Sequence, residues 1–129
     1  MTVAEPLRVL IVDDDVAQVE ALRRWFSDDG LDVVAHTTFE GAREALRSDR
    51  FDALLTDIRL GAFNGIQLAV VARDLFPDIQ IVVFSGFDDP VLHSEAEHVG
   101  ATYVVKPVPP GFLTELLKAP ALKTRLTST

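Results

Sequence analysis

Four apolar runs in this chain end in residues that can do chemistry. Asp13, Asp14 and Asp15 follow the first, and Asp57 follows another. Ser85 and Lys106 close two more. Clustered carboxylates repel one another and need a compensating cation. Carboxylate oxygens suit a hard ion such as Mg²⁺, which takes one or two of them and keeps several waters. Such an ion would offset the negative charge of an incoming phosphoryl group. Lys106 would add a second positive charge and the Ser85 hydroxyl a hydrogen bond. Asp57 would then be placed as a carboxylate nucleophile that becomes an aspartyl-phosphate. The blander reading makes Asp13 and Asp14 solvated residues at a helix start, where negative charge suits the dipole. Asp15 fits that role as a helix cap.

Those residues act together only if the fold brings the run ends to one edge. The runs are Leu7–Val12, Asp32–His36, Ala53–Thr56, Ile79–Phe84 and Thr102–Val105. Short Val/Ile/Leu-rich runs with little alternation read as strands buried on both faces of a parallel sheet. Segments of helical spacing lie between them: Val19, Leu22, Phe26; Ala42, Ala45, Leu46; Leu68, Val71, Leu75; Leu92, Ala96, Val99; and Leu113, Leu116, Leu117. Five alternations of strand and helix predict a five-stranded parallel sheet with helices on both faces. Gly30, Asn64–Gly65, Gly86 and Gly100 punctuate the connections. Asn64 fits an N-cap, and Pro109 and Pro110 fit the start of the last helix. In such open sheets ligands bind outside the carboxyl ends of the strands.

Composition bounds the rest. The 129 residues suit one domain, here 1–118, with 119–129 reading as a short tail. No cysteine is present, which excludes disulfide scaffolds and thiolate metal sites and suits a reducing cytoplasm. The net charge of −8 disfavours direct binding to nucleic acid. No run reaches the roughly 18 apolar residues of a membrane span. His36, His93 and His98 fit no ligand spacing and read as surface or loop residues. Trp25 and the eight phenylalanines read as packing.

Taken in order, five segments resemble the receiver domain of two-component response regulators, from Leu7 to about Leu117. They are Val-Leu-Ile-Val-Asp-Asp-Asp at 9–15, Phe-Asp-Ala-Leu-Leu-Thr-Asp-Ile-Arg-Leu at 51–60, Asn-Gly at 64–65, Ile-Val-Val-Phe-Ser-Gly at 81–86 and Gly-Ala-Thr-Tyr-Val-Val-Lys-Pro at 100–107. The resemblance implies a flavodoxin-like doubly wound (βα)5 fold with strand order 2-1-3-4-5. It implies that Asp57 accepts the phosphoryl group. Asp14 would bind Mg²⁺ (or Mn²⁺) directly and Asp13 mainly through water, with the Arg59 backbone carbonyl as a further ligand. Ser85 and Lys106 would contact the phosphoryl group, and Tyr103 would turn inward once Ser85 has moved. A cis Lys106–Pro107 bond is implied as well.

The implied function is a signalling switch. A histidine kinase or histidine phosphotransfer protein would supply the phosphoryl group. A downstream protein would read the face of the fourth helix, fifth strand and fifth helix, through which a dimer could also form. No turnover enzyme is implied, only self-catalysed gain and loss of the phosphoryl group, in the cytoplasm. Two other readings stand beside it: an aspartate-nucleophile phosphohydrolase, and a binding module of the same fold that works without phosphorylation. The hydrolases of that kind carry Asp-x-Asp after the first strand, and this chain has its candidate nucleophile after the third.

The sequence departs from the family pattern in three places. Gly61 stands where proline is frequent, which predicts a looser loop. One residue is missing between Ala101 and Tyr103, which should shorten the loop before the last strand. Phe87, two residues after Ser85, is large and apolar. With Arg59 it would flank the site and hinder water attack, which predicts a long-lived phosphorylated state.

Overall fold

The computed structural model describes residues 5–119, so most of the expected 119–129 tail lies outside the described residues. Its main sheet has five parallel strands: β1 (Arg8–Val12), β2 (Asp32–His36), β3 (Ala53–Asp57), β6 (Gln80–Ser85) and β7 (Ala101–Val105). Their spatial order is β2-β1-β3-β6-β7, the expected 2-1-3-4-5 when the strands of this sheet are counted in turn. Five helices make the crossovers: α1 (Val16–Asp28), α2 (Phe39–Ser48), α3 (Gly65–Leu75), α4 (Pro90–His98) and α5 (Pro110–Lys118).

The near-continuous apolar runs are explained by two-sided burial. Leu10 and Val12 of β1 join a core with α2, α3 and α4, whereas Val9 and Ile11 join a second core with α1 and α5. Every residue of β3 and β6 is buried. The helix starts follow capping chemistry. Asp15 accepts from the Gln18 N–H, and Asn64 and Gln67 form a reciprocal capping box at α3. At α5 Pro109 occupies the N-cap position without a side-chain bond, and Pro110 opens the helix.

Two further strands, β4 (Arg59–Leu60) and β5 (Phe63–Asn64), form a small antiparallel hairpin that the sequence reading lacks. Two-residue strands carry no usable periodicity. The hairpin turn is Gly61–Ala62, and Gly61 has φ +65°. That conformation is the reason for glycine here, and the connection is tight where the sequence predicts a looser loop. The shortened loop before the last strand is a turn through Val99 and Gly100, with Gly100 at φ +72°.

Several packing expectations need correction. Leu75 is exposed; α3 buries Ile66, Leu68, Ala69 and Ala72, and the stripe drifts off the core by its last residue. Trp25, Phe63, Phe87 and Phe112 are exposed, since hydrophobicity alone does not place a residue inside. The histidines lie in regular elements: His36 ends β2, and His93 and His98 sit in α4.

Candidate functional site

The carboxyl ends of β1, β3, β6 and β7 meet on one rim. Asp13 follows β1, Asp57 ends β3, Ser85 ends β6 and Lys106 follows β7. Register holds them level: Asp57 pairs with Phe84, Ser85 with Val105, and the Lys106 N–H donates to the Ser85 carbonyl at 2.7 Å.

Asp13, Asp14 and Asp57 each bring a carboxylate oxygen within 4.8 Å of the others. Lys106 Nζ lies 3.2 Å from Asp57 Oδ1 and 3.7 Å from Asp13 Oδ2. It also sits 4.3 Å from the centre of the Phe84 ring, a cation–π contact that keeps the ammonium over the cluster. Asp13 is buried, and its Oδ1 accepts the Asp15 N–H at 2.9 Å. Its Oδ2 is buried with no hydrogen-bond partner. Burial pushes the Asp13 carboxyl above the usual carboxylate range; the Asp15 N–H opposes this, and the charge of Asp57 adds to it. One cation beside three carboxylates leaves the cluster short of positive charge. A buried carboxylate oxygen without a donor is the feature a hard metal ion would satisfy. The donor set of Asp13, Asp14 and Asp57 thus fits Mg²⁺.

Glycine makes part of this geometry. A Cβ on Gly65 would lie 2.3 Å from the Asp57 carbonyl oxygen and 3.0 Å from Thr56 Cγ2. The Asn-Gly pair therefore caps α3 and lets its start press against the strand that ends in Asp57. The Gly65 N–H donates to the Ile58 carbonyl at 2.9 Å, and Thr56 Oγ1 donates to the Asp57 carbonyl at 2.9 Å.

Ser85 is fully buried, and its Oγ accepts the Phe87 N–H at 3.1 Å. Tyr103 points inward, its hydroxyl donating to the Phe87 carbonyl at 2.7 Å. The Phe87 backbone thus holds both side chains, and its exposed ring lies 5.2 Å under the Arg59 guanidinium. Arg59 and Phe87 line a cleft that Ser85 also lines. The Lys106–Pro107 bond is cis, as the resemblance implies. His36 is nearer the rim than the sequence suggests, because its carbonyl accepts the Asp13 N–H at 3.3 Å. His93 packs its ring edge-on to Tyr103 at 5.3 Å.

Asp13, Asp14, Asp57 and Lys106 come together as one cluster, and Ser85 ends the strand beside Asp57. Sequence reasoning missed the hub at Phe87 and the close approach at Gly65; for Gly65, the Asn-Gly pair was the available signal.

Residues 9–118 match the Response regulator receiver domain family. The response regulator MprA of Mycobacterium ulcerans is 39% identical over 83 residues, 64% of this chain and 35% of that protein. The chain therefore aligns with only about a third of such a regulator's length. A CheY-like receiver domain protein from Methanospirillum hungatei is 27% identical, with TM-score 0.81 and 95% of both chains covered. A response regulator from Burkholderia pseudomallei, solved with a phosphorylated aspartic acid, calcium ion and citrate, shares the fold. Its TM-score is 0.83 at 23% identity, covering 95% of this chain and 73% of that one.

Proposed function

The chain belongs to the response regulator receiver domain family, and from that premise we propose that Asp57 is the phosphoacceptor of a signalling switch spanning residues 1–118. The observation that carries this reading is the rim cluster. Lys106 lies 3.2 Å from Asp57, and two further carboxylates stand within 4.8 Å.

Asp13, Asp14, Asp57 and the Arg59 carbonyl would hold Mg²⁺, or Mn²⁺ in its place. When bound, the ion supplies positive charge against the phosphoryl oxygens. The step itself is a displacement. An Asp57 carboxylate oxygen attacks phosphorus, a P–O bond forms and the donor's P–N bond breaks. The electron pair of that bond leaves on the donor imidazole, and Asp57 becomes an acyl phosphate. Lys106 stabilises the charge on the phosphoryl oxygens, and Ser85 gives up the Phe87 N–H to donate to one of them. The inward turn expected of Tyr103 is already made, since its hydroxyl donates to the Phe87 carbonyl while Ser85 still accepts the Phe87 N–H. This reading makes the chain a phosphoacceptor that speeds its own phosphorylation and hydrolysis, with no separate substrate to turn over.

The donor is a histidine kinase or a histidine phosphotransfer protein. The reader is a downstream protein, or a second copy, at the face of α4, β7 and α5. Val91, Val105 and Phe112 are exposed there, which supports a protein-binding role. Among the described residues no helix is long and apolar enough to cross a membrane, in keeping with a cytoplasmic site of action. The Arg59–Phe87 stack supports a long phosphoryl lifetime, and a half-life of seconds without any phosphatase would contradict it.

The test is intact mass after acetyl phosphate with Mg²⁺. The wild type should gain one phosphoryl group, and Asp57→Asn should gain none. Equal gain by Asp57→Asn overturns the assignment. No gain by the wild type favours a module that works without phosphorylation.

A further inference from the structure

The β4–β5 hairpin sits beside the carboxylate cluster and is braced from outside it. Its first residue, Arg59, lies two positions after Asp57. Its last, Asn64, caps α3. The Asn64 N–H donates to Gln67 Oε1 at 2.7 Å, so the hairpin ladder does not use that donor on the Arg59 carbonyl. Leu60 is buried, and Phe63 stacks on Phe39, the first residue of α2, with ring centroids 4.3 Å apart and planes 14° apart. Arg43 lies 5.5 Å over the Phe39 ring. Phe39 and Phe63 line a cleft of about 300 Å³ together with Asp14, Gly61 and Leu60. The aromatic stack therefore fixes the hairpin against α2 at the wall that carries Asp14.

We propose that Phe63 is a positioning residue for the metal centre: its stack on Phe39 holds the hairpin so that the Arg59 carbonyl faces the ion held by Asp13, Asp14 and Asp57. The inference rests on the metal site of the proposed function. Phe63 is 38% exposed, so removing its ring takes away the pairing with buried Phe39 but no core residue of the main sheet. What it removes is the brace on a six-residue excursion otherwise anchored by Leu60 and by its two ends. A carbonyl free to wander is a weaker ligand, because ordering it then opposes binding.

The test is Mn²⁺ affinity of the full chain, read from the paramagnetic signal of the free ion, with melting temperature measured without metal. Phe63→Ala should bind Mn²⁺ about three- to tenfold more weakly, the range an aromatic pair supports. Its metal-free melting temperature should fall by only about 3–8 °C, the cost of the aromatic pair alone. Phe63→Tyr keeps the stack and should restore wild-type affinity. Wild-type affinity in Phe63→Ala, or equal weakening in Phe63→Tyr, overturns the inference. Asp13→Asn separates the two levels. If it loses Mn²⁺ while Phe63→Ala does not, only the hairpin role fails. If Asp13→Asn binds as wild type does, the metal site itself is misassigned.

Discussion

Arg73 and Asp13, at opposite ends of the sheet, take charge out of water in opposite ways. At the amino end, half-buried Arg73 donates to four backbone carbonyls: Val99 at 2.9 Å, Pro77 at 3.0 Å, Ile79 at 2.7 Å and Gly100 at 3.0 Å. Its guanidinium ties the end of α3 to the segments that lead into β6 and β7. Burial lowers its pKa, with Asp78 opposing, and the hydrogen bonds keep the charge satisfied. At the carboxyl end, three carboxylates share Lys106, and one buried oxygen of Asp13 has no donor. A charge completed by fixed neighbours serves the fold. A charge left incomplete by them is prepared for a ligand.

Substitutions at the two ends should therefore part company. The largest effect is expected at Lys106. Lys106→Met should slow phosphoryl incorporation from acetyl phosphate by roughly 10²- to 10³-fold, the cost of losing one preorganised positive group. A rate within a few-fold of wild type would show that Lys106 only packs on Phe84.

Arg73→Ala should reverse the pattern. It leaves carbonyls unpaired and should cost about 2–3 kcal/mol in urea unfolding. Its Mn²⁺ affinity should stay within about twofold of wild type, because sites this far apart without shared partners act nearly independently. A large loss of metal binding would mean that the two ends are coupled. Gly65→Ala stands between the two classes. Its added Cβ meets the Asp57 carbonyl, so it should cost about 1–3 kcal/mol and also weaken Mn²⁺ binding.

Asp13→Asn is expected to have the smallest effect on the fold, in the opposite direction. Folded Asp13 holds its proton more tightly than the unfolded chain does. Its contribution to stability is therefore fully present below the unfolded pKa and is lost as pH rises through the folded one. At neutral pH, without metal, the ionised side chain is a burden. Asp13→Asn should raise the metal-free melting temperature there, and the gain should shrink as the pH is lowered. The stabilisation that Mg²⁺ gives the wild type should disappear in this variant.

Much of this contrast is legible in the sequence, and unevenly so. Asp13, Asp57, Ser85 and Lys106 are readable because each follows an apolar run that two-sided burial makes conspicuous. Asn64 and Asp15 are readable because capping is local. The Arg73 clasp is not, since its acceptors are backbone carbonyls up to 27 residues away, and no residue type marks them. The β4–β5 hairpin is too short for periodicity, and Phe63 looks like a core residue until its exposure is known. The carboxylate cluster announces itself through like charges, whereas the Arg73 clasp is made of contacts that only the fold creates.

The central claim is that the phosphoryl group goes to Asp57. Borohydride reduction after acetyl phosphate treatment tests it directly, because it converts an aspartyl-phosphate to homoserine. Arg50 and Arg59 bound a tryptic peptide, Phe51–Arg59, that holds both Asp52 and Asp57. Fragment masses should place the change, one oxygen lost and two hydrogens gained, at Asp57 and only when Mg²⁺ was present. Reduction at Asp52, Asp13 or Asp14, or none at all in wild-type protein, would contradict the account.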